Sequence, residues 1–171
     1  MMKLYCAPIR NLSGSATVYA LLEYAYKKDF YGSFPKIEKT PNGKPYFPDK
    51  PDVHFSLSHA KTHVLCAISV NPVGADIESE RHVSKRALRF FATQKELELF
   101  DPLDLWVLKE SYIKLIGGVL IMVKNIHFSC EEGIISAPDN ETISRLYRID
   151  GCRAAISSHG TPPPKSIDLV T

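Results

Sequence analysis

A single-domain α+β fold over residues 1–171 is predicted by three observations on this chain. Strand-like and helix-like segments are mixed, without the regular βαβ alternation that marks a parallel sheet. No internal repeat, low-complexity block or domain-dividing linker interrupts them. The length suits one domain with a core large enough to fold unaided. Its 44% apolar and 23% charged residues match an ordinary soluble globular protein.

The elements follow in chain order. Residues 3–7 form a first short strand. Val18, Leu21, Leu22, Ala25 and Tyr26 recur at helical spacing over 15–28, with Ser13 or Ser15 as N-cap. Prolines 35, 41, 45, 48 and 51, with Asn42-Gly43, make 34–51 a loop. Residues 53–57 alternate as a strand, 63–70 are an almost continuous apolar run, and Asn71-Pro72 turns the chain into a strand over 73–78. A short helix is predicted at 84–91. Thr93 and Glu96 stand at capping-box spacing and start another helix running to about 100. Asp101-Pro102 breaks the chain before a helix over 104–116, which Gly117-Gly118 ends. Strands are expected at 120–128, 133–135, 144–149 and 153–157, and the Pro162-Pro-Pro164 tail over 161–171 reads as extended and loosely held.

Several function classes are excluded early. A net charge of +2 with no arginine- or lysine-rich run argues against nucleic acid. The longest apolar stretches are too short to span a membrane, and the start lacks the apolar region of a secretory signal. Cys6, Cys66, Cys130 and Cys152 are isolated from one another and read as buried thiols. A reducing, cytoplasmic location follows.

The chemistry concentrates in two places. On a strand over 73–78, period-two alternation puts Asp76 and Glu78 on one face. On the helix over 104–116, Glu110 and Lys114 stand one turn apart on one face. Three carboxylates of this kind suit Mg²⁺, a hard ion that keeps some water and completes its shell with substrate phosphates; Mn²⁺ is the alternative in an all-oxygen site. The second place is Gly43-Lys44-Pro45 together with Phe55-Ser56-Leu57-Ser58-His59. A glycine turn followed by lysine presents N–H groups and a point charge to phosphate, and a Ser-His pair can donate to phosphate oxygens. Ser58-His59 lacks the GxSxG surroundings of a nucleophile elbow.

Blander readings stand beside these. Asp76 and Glu78 could be solvated strand-end residues, and Glu110 with Lys114 an ordinary surface pair. Trp106 suits the core or a cleft wall. The capping box explains Glu96 without catalysis. His54, His63, His82, His127 and His159 show no paired metal-ligand spacing. Arg81, Lys85, Arg86 and Arg89 form a local basic cluster, either a solvated helix face or a docking patch for an acidic partner.

The order of the motifs, Gly-Lys-Pro at 43–45, Phe-Ser-Leu-Ser-His at 55–59, Gly-Ala-Asp-Ile-Glu at 74–78 and Trp-Val-Leu-Lys-Glu-Ser-Tyr-Ile-Lys at 106–114, resembles the 4′-phosphopantetheinyl transferase superfamily. The type resembled primes carrier proteins of nonribosomal peptide and polyketide synthesis; here the N-terminal half is shortened. The resemblance implies two similar α/β halves, about 1–70 and 71–160, with a cleft between them. It implies transfer of phosphopantetheine from coenzyme A to a carrier-protein serine, with release of adenosine 3′,5′-bisphosphate. By motif position Asp76, Glu78 and Glu110 match the magnesium ligands. Lys114 and His59 match phosphate contacts, and Lys44 and Ser58 match coenzyme A contacts. Glu110 is the first candidate for the base that takes the serine proton, with Glu96 second. A Mg²⁺-dependent nucleotide pyrophosphate hydrolase and a non-catalytic carrier-binding module are the alternatives.

Overall fold

Four layers stack in a computed structural model that describes residues 1–171. A four-stranded sheet contains β1 (Met2–Pro8), β4 (His54–His59), β5 (His63–Ser69) and β11 (Asp168–Leu169), in the order β11-β1-β5-β4. A five-stranded sheet contains β6 (Val73–Ser79), β7 (Ser129–Glu131), β8 (Ile134–Ser136), β9 (Thr142–Ile149) and β10 (Cys152–His159), in the order β6-β10-β9-β8-β7. Helix α1 (Gly14–Asp29) covers the outer face of the first sheet, where Tyr5, Phe55 and Cys66 meet Leu22 and Tyr26. Helix α4 (Pro102–Ile116) covers the outer face of the second, flanked by α2 (Lys85–Phe91) and α3 (Gln94–Leu99).

Alternation along the strands creates the middle of this stack. Leu4 and Cys6 point inward from β1 while Tyr5 points to α1. Val73, Ala75 and Ile77 point inward from β6, so Gly74, Asp76 and Glu78 face α4. The sheets also meet along one edge, because β4 and β6 are terminal strands of their respective sheets. Their meeting is not a backbone ladder. Ala75 N–H donates to Ser56 Oγ at 2.9 Å and Ile77 N–H donates to Ser58 Oγ at 3.3 Å. Two serine hydroxyls thus satisfy buried edge amides that no strand pairs.

Local signals correspond closely to the elements. Ser13 caps α1, Ser84 caps α2, and Thr93 with Glu96 forms the expected capping box of α3. Gly117 ends α4 at φ 66°, a left-handed conformation that glycine adopts without Cβ strain.

Four expectations differ from the structure. Residues 34–51 contain a small hairpin, β2 (Glu38–Lys39) with β3 (Pro45–Tyr46), closed by Gly43 at φ 85°. Helix α4 starts at Pro102, with the Asp101 side chain accepting from Leu103 N–H, because proline at a first turn sacrifices no helical hydrogen bond. The apolar run predicted as a strand over 120–128 begins as a 3₁₀ turn, Leu120–Asn125. Only Val123 in that turn is buried, and the turn joins none of the sheets. The tail is not loose. Arg145 and Tyr147 hold the carbonyls of Pro163 and Pro164, and β11 pairs in parallel with β1.

Candidate active site

The close approach of α4 to β6 builds the site, and Gly74 permits it. A Cβ at Gly74 would lie 2.0 Å from the Ser111 carbonyl oxygen and 2.4 Å from the Leu115 amide. Any side chain there would push the helix away from the strand. Ser111 secures the contact further on, its Oγ lying 2.8 Å from Ser157 Oγ on β10. With α4 seated so closely, its Glu110–Lys114 face lies over the acidic face of β6.

At the centre, Lys114 Nζ lies 2.7 Å from Asp76 Oδ1 and donates to Ser58 Oγ at 3.1 Å. Ser58 Oγ donates to Asp76 Oδ1 at 2.8 Å and accepts from Ile77 N–H. Its one donor and two acceptor positions are therefore all used. Asp76 is not so complete: its Oδ2 is buried without any hydrogen-bond partner. Such an orphan is costly in a folded protein and marks a group held for something else.

Glu110 adds a third charge. Its carboxyl is pushed up to about 7, first by burial and then by the Asp76 and Glu78 carboxylates, against the opposing pull of Lys114. The three predicted carboxylates therefore share one electrostatic environment. They do not form a ready coordination set: no three His, Cys, Asp or Glu side chains are grouped to hold a metal. Lys114 neutralises Asp76, and Glu78 turns toward Arg81, Oε2 to Nε 3.6 Å. The donor chemistry nonetheless fits Mg²⁺, through hard carboxylate oxygens and the unpartnered Asp76 Oδ2.

The second predicted cluster joins the first at the C-terminal end of α4. Lys44 Nζ donates to the Leu115 carbonyl at 3.0 Å, and Asn42 Nδ2 donates to the Gly117 carbonyl at 2.9 Å. These satisfy carbonyls that a helix end leaves open. Burial lowers the Lys44 ammonium below the usual lysine range. Between the turn, β4 and α4 lies a cavity of about 280 Å³, lined by Asn42, Lys44, Ser56, Lys114, Gly117 and Gly118 among others. Two lysines converge on one opening.

Not every predicted residue arrives there. His59 is exposed at the end of β4, on the opposite face from Ser58, with its ring against Gly14 at the start of α1. Its side chain makes no hydrogen bond to Ser58, Asp76 or Lys114. Glu96 is committed elsewhere. It forms a buried ion pair with Lys109, 2.9 Å, and accepts from Thr93 N–H, Thr93 Oγ1 and Phe128 N–H. Burial alone would raise its carboxyl, but these donors together hold it low. No lone pair is left for a substrate proton. Sequence reasoning gave no role to Gly74, Asn42 or Ser56. For Ser56 a signal existed, since it stands two residues from Ser58 and so shares its face.

No family model matches the chain. Among curated proteins it is 30% identical to the 4′-phosphopantetheinyl transferase Sfp of Bacillus subtilis (strain 168), over 95% of this chain and 79% of that protein. It is 36% identical to the 4′-phosphopantetheinyl transferase psf-1 of Bacillus pumilus, over 79% of this chain and 65% of that protein. It is 40% identical to the 4′-phosphopantetheinyl transferase gsp of Aneurinibacillus migulanus, over 52% of this chain and 41% of that protein. The chain belongs to the 4′-phosphopantetheinyl transferase family, a family of enzymes.

Proposed function

We propose that this protein transfers 4′-phosphopantetheine from coenzyme A to a serine hydroxyl of a carrier protein, with Mg²⁺ as cofactor. The observation that carries the reading is the Asp76–Lys114–Ser58 arrangement, with its unpartnered buried oxygen, beside a cavity that Lys44 also lines. The two sheets, with their covering helices, are read as the two related halves of the family fold, and the site lies at their seam.

In the reaction the serine oxygen forms a bond to the pyrophosphate phosphorus next to pantetheine. The bond from that phosphorus to the bridging oxygen breaks, and adenosine 3′,5′-bisphosphate leaves. Positioning and charge neutralisation supply most of the rate in such a displacement. Lys44 and Lys114 hold pyrophosphate oxygens at the cavity. Ser58 orients Lys114 and Asp76 through its three hydrogen bonds. Glu110 takes the serine proton, directly or through water. Asp76, Glu78 and Glu110 would hold Mg²⁺, which would supply positive charge against the diphosphate. His59, at the end of β4 with its ring against the start of α1, is read as a contact for a coenzyme A phosphate outside this central group.

The test is incubation of an apo-carrier protein with coenzyme A, Mg²⁺ and the protein. The reading expects the carrier to gain the mass of one phosphopantetheine as adenosine 3′,5′-bisphosphate appears. Nucleotide release with an unmodified carrier would establish a hydrolase instead. A carrier bound without turnover, with no coenzyme A binding by calorimetry, would establish a non-catalytic module.

A further inference from the structure

In the middle layer, between the two sheets, a second group of reactive side chains comes together. The two-residue turn Asp150-Gly151 joins β9 to β10, with Asp150 at φ 33° and Gly151 at φ 69°. It leaves the Asp150 side chain 79% exposed and places Cys152, the first residue of β10, almost wholly out of solvent. His63 starts β5 and shares a face with Leu65, which points into the same layer.

Across this layer Cys152 Sγ lies 3.9 Å from His63 Nδ1, and His63 Nε2 lies 3.8 Å from Asp150 Oδ2. Thr62 Oγ1 adds a third contact, 3.0 Å from Nδ1 and 3.6 Å from Sγ. One tautomer satisfies the set: Nε2–H faces the carboxylate, and Nδ1 is left to accept from the hydroxyl or the thiol. A thiol, an imidazole and a carboxylate in that order are a nucleophile, its base and the group that orients the base. The spacings are wider than formed hydrogen bonds, as unliganded sites of this kind commonly show.

A second thiol faces the same layer. Cys6 on β1 belongs with Cys152 to one apolar cluster. Burial pushes the Cys6 thiol up to about 12, and the neighbouring Cys152 and Asp150 act in the same direction. Cys152 has a base beside it, so it is the attacking sulfur of the two. Between β9 and residues 165–169 lies a crevice of about 410 Å³ that leads inward from Asp150. Tyr147, Ile149 and Ile167 line it and belong to, or pack against, the cluster that holds both thiols. The transfer proposed above uses none of these residues.

We infer that Cys152 is a thiol–disulfide exchange site, with His63 as its base, Asp150 orienting His63 and Cys6 as the resolving thiol. Its ligand is a small organic disulfide. His63 takes the Cys152 proton, the thiolate bonds to one sulfur of the ligand, and the ligand's S–S bond breaks. The released thiolate takes the proton from His63 and leaves as a thiol. Cys6 then attacks the Cys152 sulfur, and the second small thiol leaves with the Cys6 proton. The ligand is thereby reduced to two thiols. Cys6 and Cys152 are oxidised to a disulfide that ties β1 of the first sheet to β10 of the second.

The test is to incubate the reduced protein with glutathione disulfide, quench by alkylation and map the peptides by mass spectrometry. A Cys6–Cys152 linkage is expected, with the fully buried Cys66 still alkylated as a free thiol after unfolding. C6S should stop with one glutathione held on Cys152. H63Q should form the linkage about tenfold or more slowly, on the scale of a lost general base. D150N, which keeps the turn because asparagine also adopts positive φ, should slow it severalfold. Cys130 is the internal control, since it is the one cysteine that is not buried and is the first that a reagent meets by exposure alone. Glutathione on Cys130 with Cys6 and Cys152 unlinked would overturn the inference. So would linkage at the wild-type rate in both H63Q and D150N, or a C6S protein that never carries glutathione on Cys152.

Discussion

Helix α4 carries two lysine–carboxylate pairs that solve the same problem differently. Lys109 and Glu96 are buried together and completely satisfied, with Lys109 also donating to the Phe91 carbonyl and Glu96 accepting from Thr93 and Phe128. Lys114 and Asp76 form an ion pair of similar length, 2.7 Å, but the lysine is 30% exposed and one aspartate oxygen has no partner. The first pair ties α3 and the start of β7 to α4. The second is unfinished and faces a cavity. A structural ion pair uses every donor and acceptor it has, whereas a functional one keeps some in reserve for a ligand.

Breaking each pair should reveal the difference. Lys109→Met strands a buried carboxylate, so it should cost about 3–5 kcal/mol in denaturant unfolding. Adding Glu96→Gln should recover part of that loss. A single variant as stable as wild type would remove the distinction drawn here.

Gly74→Ala should come next. Its Cβ would meet the Ser111 carbonyl, so α4 must shift, at a cost of about 1–3 kcal/mol by analogy with overpacked cores. Because the same contact seats Lys114 over Asp76, carrier modification should fall further than the stability loss explains. Unfolding and transfer assays on this variant separate the two effects.

Asp76→Asn should barely alter the melting temperature, since it removes a buried charge with an incomplete set of partners. Transfer should nevertheless fall by about 100-fold or more, the scale seen when one charged transition-state contact is lost. Full activity in Asp76→Asn would break the functional half of the comparison.

The smallest effect concerns pH. Glu110 has a folded pKa raised to about 7 from 4.5, so the folded state holds its proton more tightly than the unfolded state does. Its contribution is fully present below about 4.5 and is lost as pH rises toward 7. Glu110→Gln should therefore gain melting temperature relative to wild type between pH 5 and pH 8, by a few degrees. Excess Mg²⁺ should shrink that gap at pH 8 by offsetting the carboxylate charges. A constant difference across pH would show that Glu110 is not held up as described.

Much of this was legible in the chain because it is local. The capping box at Thr93–Glu96 and the left-handed stop at Gly117 depend on residues a few positions apart. Alternation placed Asp76 and Glu78 on one face, and helical spacing placed Glu110 and Lys114 on another. The motif order pointed to the family that the relatives then showed. What was not legible depended on distant partners. An apolar run after Gly118 reads as a strand from its composition, yet it winds into a 3₁₀ turn that joins no sheet. A proline-rich tail reads as loose until Tyr147 and β1 hold it. Glu96 could be weighed as a base only while Lys109 and Phe128 N–H were not seen to occupy it.

The amino-acid order by itself determined which side chains share a face, where helices start and stop, and the stock of carboxylates and lysines, since these follow from backbone periodicity and nearest-neighbour hydrogen bonding. Tertiary packing decided that Gly74 would let α4 rest against β6, that Ser58 would join Lys114 to Asp76, and that Asn42 and Lys44 would close over the end of α4. Those contacts link residues 18 to 75 positions apart, and their geometry is set by how whole elements pack rather than by any short stretch of chain.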